Sequence, residues 1–476
     1  MHHRERGYRF HAMTTALCSE CLLPAPAKVI LRGGSIYLRR QCPEHGLSDE
    51  LLEEDAAFFL RQQEYDKPGS ETQTETTTHL GCPYDCGLCP DHEQHTCIGL
   101  LEITQRCNLG CPVCFAVAEG ATAHSPDLSL ASAAAMLDAY QAAEGGAADV
   151  LQISGGEPTL HPQLLDIIRL ARSKDIRYIM LNTNGLRLAD DPTLAEALSE
   201  FADGFEIYLQ FDGFDDRGSR TLRGRPLIEI KRKALENLAR HKVPATLVAT
   251  VHGGVNDHEM GAIVDFGMKH PAVRGVNFQP LAFFGRTDGA DPAGRITRTG
   301  ILKRLQEQTA GMIRMDDFVP LPCDVDRVAF CLLYRRDGRF TPITRGADIR
   351  KYLPLIDNTM AFYGQDVLKQ AAKSLCGGGA CSCFSFAKDL IPLAGLAGRG
   401  MAAKDKPAFV TGNIFRISAT SFLDRYTFEL KGAKKECVHI LTEDGRRMPF
   451  SAYNLIHREA HAHAALDPAV ARRAGR

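Results

Sequence analysis

At 476 residues the chain is long enough for one large core with one or two smaller domains attached. Its formal net charge of −2 and isoelectric point near 6.8 leave no electrostatic footprint for nucleic acid. No apolar run reaches the ~18 residues of a membrane span, and the N-terminus, MHHRERGYRFHAMTTAL, lacks the apolar core of a signal peptide. These features predict a cytoplasmic protein, with Met13 an alternative start to Met1. Sixteen cysteines, clustered in a chain without an export signal, point to metal sites over disulfides.

Residues 14–50 read as a small metal module. Cys18 and Cys21 form a CxxC knuckle, the runs 28–31 and 35–39 form a hairpin across Arg32-Gly33-Gly34, and Cys42-Pro43-Glu44-His45 closes the unit. Cys18, Cys21, Cys42 and His45 have the spacing of a Cys3His zinc ribbon, with a mononuclear rubredoxin-like iron as the alternative. So small a module takes much of its folding energy from the metal and is expected to be separable from the core chemistry.

Residues 51–99 hold a charged, Thr/Glu/Gln-rich connector and then GCPYDCGLCPDHEQHTC. Cys82, Cys86, Cys89 and Cys97 predict an auxiliary 4Fe–4S cluster with full protein ligation, suited to electron transfer. A structural zinc is the plainer alternative, and Cys82 or Cys97 could instead serve another site and leave this cluster open.

Next comes ITQRCNLGCPVCF, residues 103–115. Three thiolates on one loop, Cys107, Cys111 and Cys114, can hold three corners of a 4Fe–4S cube and leave one iron open to a ligand. A zinc knuckle is the competing reading. From 100 to about 290, strand patterns at 100–104, 150–154, 178–182, 206–211, 245–251 and 275–281 alternate with helical patterns at 130–143, 162–172, 194–202, 228–240 and 258–269. The alternation predicts an α/β protein built on a partial, TIM-like (β/α)6 barrel, since six units are too few to close an eight-unit one. The expected divisions are 14–50, 51–99, the barrel at 100–300, a C-terminal Fe–S region at 301–458, and a flexible tail at 459–476.

The strand ends carry polar and glycine-rich segments, where ligands bind in such sheets. They are Ser154-Gly155-Gly156-Glu157-Pro158, Asn182-Thr183-Asn184-Gly185, Gln210-Phe211-Asp212-Gly213, and Thr250 with His252-Gly253-Gly254. Two glycines admit a ligand close to the backbone, and Glu157 offers a carboxylate to an ammonium group.

The cysteine loop together with GGEP resembles the radical SAM superfamily. The resemblance implies that S-adenosylmethionine (SAM) chelates the open iron and is cleaved reductively to a 5′-deoxyadenosyl radical. It further implies contacts to the methionine amino group at Gly155, Gly156 and Glu157 and to the ribose at Gln210, Asp212 and Thr250, with Asn184 also expected to bind the cofactor. An electron donor such as ferredoxin or flavodoxin is the implied partner. LCSECLLPAPAKVI, QCPEHG, HGGVNDHE, FVPLPCDVDRVAFC and ECVHILTEDGRRMPFSAYN extend the likeness to the tetraether lipid synthase family. That likeness implies hydrogen abstraction and carbon–carbon bond formation on a lipid or other alkyl chain. Methylation of a pterin or other small heterocycle is the alternative, and a non-enzymatic Fe–S carrier the alternative of another class. A bare carrier would need no glycine-rich cradle.

In the C-terminal region Cys323, Cys331, Cys376, Cys381, Cys383 and Cys437 compete for a second auxiliary 4Fe–4S cluster, which the resemblance implies. Individually Cys376 or Cys437 could be a buried thiol. The apolar stretch 384–403 is either core or a flap in peripheral contact with a membrane.

Overall fold

The computed structural model describes residues 5–120, 126–336, 338–346, 349–350, 353 and 413–458. The strand Ala148–Ser154 is buried at every residue, as a sheet covered on both faces demands. It pairs in parallel with Ile98–Glu102 and with Ile176–Thr183. Parallel pairing continues through Phe205–Gln210, Ala245–Val251 and Val273–Pro280. We number these six barrel strands in chain order. Each is followed by a helix: Leu130–Ala143, Leu164–Arg172, Pro192–Leu198, Ile228–Arg240, Met260–Lys269 and Arg298–Gln308. Local chemistry starts them. The Ser129 side chain accepts from the Ser132 N–H, and the Asp191 side chain caps a helix that opens on Pro192. Fully buried Leu151, Ile179, Ile207 and Leu247 belong to the core that the sheet shares with helix residues such as Leu137, Ile167, Leu235 and Ile263.

Two further strands were not expected. Ile414–Thr420 runs parallel to the sixth barrel strand, and Val438–Leu441 parallel to the first. Antiparallel strands then border the sheet, Asp324–Arg336 on Ile414–Thr420 and Arg447–Pro449 on Val438–Leu441. Among the described residues the sheet has twelve strands and its hydrogen-bonded path does not close on itself. The partial barrel is therefore a βα core of six units, extended at each end by a parallel strand from the C-terminal region.

The N-terminal module is a four-stranded antiparallel sheet of Arg9–Leu17, Pro24–Arg32, Ser35–Cys42 and Gly46–Glu53. The expected hairpin forms its middle pair. Cys376, Cys381, Cys383, the apolar stretch 384–403 and the tail 459–476 lie outside the described residues. No helix among the described residues is long and apolar enough to cross a membrane.

Candidate active site

The loop after the first barrel strand carries the three cysteines at the C-terminal end of the sheet, the face on which barrel enzymes build their sites. Two short pairings fix it: Arg106–Cys107 beside Glu119–Gly120, and Val113–Cys114 against Arg286–Thr287. Arg286 Nε donates to the Cys111 carbonyl at 2.8 Å. Cys107, Cys111 and Cys114 line one cavity of about 210 Å³ together with Gly155, Gly156 and Glu157. Burial pushes the Cys107 thiol up to about 12 and also raises that of Cys111, so these sulfurs ionise on a bound metal. Among the described residues, two sets of three or more Cys, His or carboxylate ligand atoms lie within 4.8 Å of one another, and this triplet is in neither. Three soft sulfurs spaced wider than one ion allows, on a loop facing a cavity, fit a 4Fe–4S cluster with one open iron.

The GGEP turn owes its glycines to the chain's own backbone. A Cβ on Gly155, whose φ is +125°, would lie 2.3 Å from the Thr104 carbonyl oxygen, and one on Gly156 would lie 2.3 Å from that of Arg106. The Gly156 N–H donates to Thr104 O at 2.7 Å and the Glu157 N–H to Arg106 O at 2.8 Å. The close approach expected for a ligand is thus used first to seat the turn against the segment leading into the cysteine loop.

Glu157 is 1% exposed. Its carboxylate accepts from the Thr159 N–H at 3.1 Å, the Thr159 hydroxyl at 2.6 Å, the Thr183 hydroxyl at 2.7 Å and the Asn184 N–H at 2.7 Å. These four donors account for a carboxylate buried here, and the residue still lines the cavity. Asn184 in turn donates through Nδ2 to Asn108 Oδ1 at 2.8 Å, and the same nitrogen lies 4.0 Å from the Cys107 sulfur. Buried Lys231 donates to the Asn184 carbonyl, and burial drives its ammonium down to about 8.

Gln210, Asp212 and Thr250 come together, but through a residue the sequence reading missed. Arg223, 4% exposed, sets its guanidinium on Asp212 with contacts of 2.7 and 2.8 Å, and donates to the Thr250 hydroxyl at 2.8 Å. The Thr250 N–H donates to Asp212 Oδ1 at 3.0 Å. Gln210, with its amide oxygen turned inward, accepts from the same guanidinium. Gln210, Thr250 and Arg223 line the cavity and Asp212 does not. The expected contact of Asp212 to a ribose is corrected: its carboxylate neutralises Arg223, a cation that could not otherwise be buried. Arg223 ends the short helix Asp216–Arg223, where no motif marks it.

Deeper in the barrel, Gln152, Asn182, Tyr208 and Gln279 line the same cavity from the second, third, fourth and sixth strands. They are linked to one another: Gln152 donates to Asn182, and Gln279 Nε2 lies 3.5 Å from the Tyr208 hydroxyl. Aromatic rings form another wall. Phe450 packs on Phe422, Phe115 and Phe284 with centroids 4.5, 5.2 and 5.7 Å apart. The cavity therefore combines an amide- and phenol-bearing floor with an aromatic side.

The remaining cysteines sort differently from the expectation. Cys18, Cys21, Cys42 and His45 converge, with His45 Nδ1 3.6 Å from Cys18 Sγ and 3.5 Å from Cys42 Sγ, and Cys21 Sγ 3.9 Å from Cys42 Sγ. Cys82, Cys86 and Cys89 line a small void with His92, and Cys97 is not on its wall. Cys97 instead joins Cys323 and Cys437, because it immediately precedes the first barrel strand while Cys437 immediately precedes the strand beside it; the Cys97 N–H donates to Cys437 O at 2.9 Å. The four-cysteine auxiliary set is corrected to three. Cys331 is fully buried in the aliphatic core opposite Ile417, a packed thiol and not a ligand.

Comparisons with known proteins match these features. The family described as the Radical SAM superfamily matches residues 101–267, and that described as the HMPTM N-terminal zinc ribbon domain matches residues 10–54. A 7,8-dihydro-6-hydroxymethylpterin dimethyltransferase of Methanocaldococcus jannaschii is 32% identical over 94% of this chain and 94% of its own. A PqqA peptide cyclase of Gluconobacter oxydans is 36% identical over 32% of this chain and 41% of its own. Among solved structures, Streptococcus suis SuiB bound to precursor peptide SuiA covers 64% of this chain and 69% of that one, at 14% identity and a TM-score of 0.39.

Proposed function

We propose that this chain, which belongs to the radical SAM superfamily and within it to the family of the Methanocaldococcus jannaschii pterin dimethyltransferase, methylates a pterin or a closely related heterocycle. It is an enzyme that works with a 4Fe–4S cluster and SAM. When bound, that pair supplies a carbon radical able to take hydrogen from an unactivated carbon. Cys107, Cys111 and Cys114 would hold three irons of the cluster. Gln210, Thr250 and Arg223 would meet the nucleoside part of SAM, and Asn184 would fix the loop beside Cys107. A ferredoxin or flavodoxin would deliver the electron.

The observation that carries the substrate reading is the floor of Gln152, Asn182, Tyr208 and Gln279. These groups can present donors and acceptors to the edge of a nitrogen heterocycle, while the Phe284, Phe422 and Phe450 rings offer it a face. A methylene chain would return nothing for desolvating them. The relative's activity and coverage support the same choice over the lipid coupling implied by the tetraether synthase resemblance, which the aromatic wall and the aliphatic lining of Leu100, Leu109, Val248 and Leu281 would favour. The test is to give the reduced, reconstituted enzyme SAM with 7,8-dihydro-6-hydroxymethylpterin or with a long-chain lipid, and to follow 5′-deoxyadenosine and product by mass. A methylated pterin is expected. Coupling of the lipid without any pterin product would reverse the assignment.

A further inference from the structure

We infer that Tyr208 recognises the substrate by donating its hydroxyl proton to an acceptor on the heterocycle, a ring nitrogen or a carbonyl oxygen, and that Asn277 turns the proton toward it. The inference deepens the pterin reading above and rests on it. Tyr208 stands on the fourth barrel strand, lines the cavity and keeps part of its side chain accessible there. Its hydroxyl oxygen receives the Asn277 Nδ2 donor, and Gln279 Nε2 lies 3.5 Å from it. Amide nitrogens only donate, so both contacts fall on the lone pairs of the phenol oxygen and neither takes its proton. Among the described residues the hydroxyl has these two nitrogens as partners and no oxygen. The proton is left to the cavity, where an acceptor on the substrate can take it. Burial holds the phenol well above its ordinary value, so the group stays a donor near neutral pH.

Asn277 is held by a strand that the six barrel units do not supply. It is 4% exposed and does not line the cavity, so it acts on the substrate only through Tyr208. Its Oδ1 accepts from the Ser418 hydroxyl at 2.9 Å and the Thr420 hydroxyl at 3.2 Å. Asn277 and Ser418 are partners across the parallel ladder, and Thr420, two residues on, shares the face of Ser418. With the amide oxygen engaged by two hydroxyls, the amide nitrogen faces the phenol. The added strand Ile414–Thr420 therefore sets the direction of a hydrogen bond inside the pocket. Next to Tyr208 in the ladder is Asn182, and there the floor offers the opposite polarity. Gln152 donates an N–H to Asn182, whose Nδ2 donates to Ser154 Oγ at 3.1 Å. That leaves the Gln152 amide oxygen as an acceptor on the cavity wall. A heterocycle edge that carries both an acceptor and an N–H can meet both groups, and a methylene chain meets neither.

The test measures KM and kcat for 7,8-dihydro-6-hydroxymethylpterin, and Kd for SAM, in the full-length reconstituted enzyme. Tyr208→Phe leaves the substrate's acceptor unmet in a buried place and should raise that KM ~5- to 150-fold, with a far smaller change in kcat and none in the Kd for SAM. Asn277→Asp puts a carboxylate where the amide stood. The carboxylate accepts the phenol proton and turns it away from the cavity, so the same rise in KM is expected although Asn277 touches no substrate. The double variant should lose no more than Tyr208→Phe alone, since both changes remove one interaction. Ser418→Ala combined with Thr420→Val frees the amide to turn over, and gives a second route to the rise if Asn277→Asp does not fold. Wild type that methylates the pterin while Tyr208→Phe keeps its KM would overturn the proposal and leave the pterin reading standing. A rise in Tyr208→Phe with none in Asn277→Asp or in the paired 418 and 420 variant would overturn the directing part given to Asn277. No methylated pterin from wild type would overturn the pterin reading itself, and this proposal with it.

Discussion

Removing the Glu157 carboxylate would leave the buried N–H groups of Thr159 and Asn184 without their acceptor. Glu157→Ala should therefore destabilise the cluster-free chain by about 1–3 kcal/mol, read by urea unfolding, in addition to weakening SAM. An unchanged unfolding curve with weaker SAM binding would return Glu157 to a purely ligand-contacting role. Ala in place of Cys107, Cys111 or Cys114 should each lose about four irons and all 5′-deoxyadenosine production, since each thiolate would bind a different iron; a variant that keeps both was never a ligand. Lys231 gives a pH signature. Its ordinary value is 10.5 and burial lowers it to about 8, so between those values the unfolded chain binds a proton that the folded chain lacks. Stability then rises with pH across that window. Measured as the difference between wild type and Lys231→Met, stability should climb by up to roughly 3 kcal/mol from pH 8 to 10.5. A flat difference would mean that the ammonium is not desolvated.

The elements of the barrel were legible because their physics is local: apolar runs buried on both faces, interrupted by helices with caps at Ser129 and Asp191. The cysteine loop and GGEP were legible as motifs. Strand partnership was not. Nothing in Ile414–Thr420 announces that it pairs with the sixth barrel strand, which ends far upstream at Pro280, or that Cys97 answers to Cys437 and not to Cys89. Arg223 was invisible for another reason: a lone arginine on a polar helix reads as solvated until Asp212 is seen beneath it. The added strand is held by Arg416, whose Nη2 donates to the Glu206 carboxylate at 2.6 and 2.7 Å and to the Thr246 hydroxyl at 3.1 Å. Glu206→Gln, which keeps the shape and removes the charge, should cost about 1.5–3 kcal/mol. Amide exchange should quicken in 414–420 before it does in the second and third barrel strands. Uniform quickening across the sheet would show that the added strand is no separate unit of stability.

At the scale of the whole molecule, the zinc ribbon was expected to be separable, and its contacts argue otherwise. The Leu17 N–H donates to Phe428 O at 3.0 Å, and Arg425 donates to Ser19 O at 2.8 and 3.0 Å. Arg40, 1% exposed, donates to Leu17 O at 2.7 Å. On a second front Glu53 accepts from the Thr299 N–H at 2.8 Å and its hydroxyl at 2.7 Å, beside buried Arg298. The turn that the ribbon grips also carries Asp424, which accepts from the Phe283 N–H at 2.9 Å and pairs with Arg295 at 2.7 Å. Phe284, the next residue, is part of the aromatic wall of the cavity. A chain of contacts thus runs from the metal in the ribbon to the side of the pocket where the heterocycle would lie. The ribbon has little core of its own, so its fold depends on the metal. Cys42→Ser should remove one mononuclear metal and no labile sulfide, quicken amide exchange in 424–429, and lower turnover on substrate while the cluster on the 107–114 loop stays fully loaded. Unchanged exchange and unchanged turnover in the metal-free ribbon variant would restore the separable module, because a metal-dependent fold gripping residues 424–428 cannot collapse without releasing them.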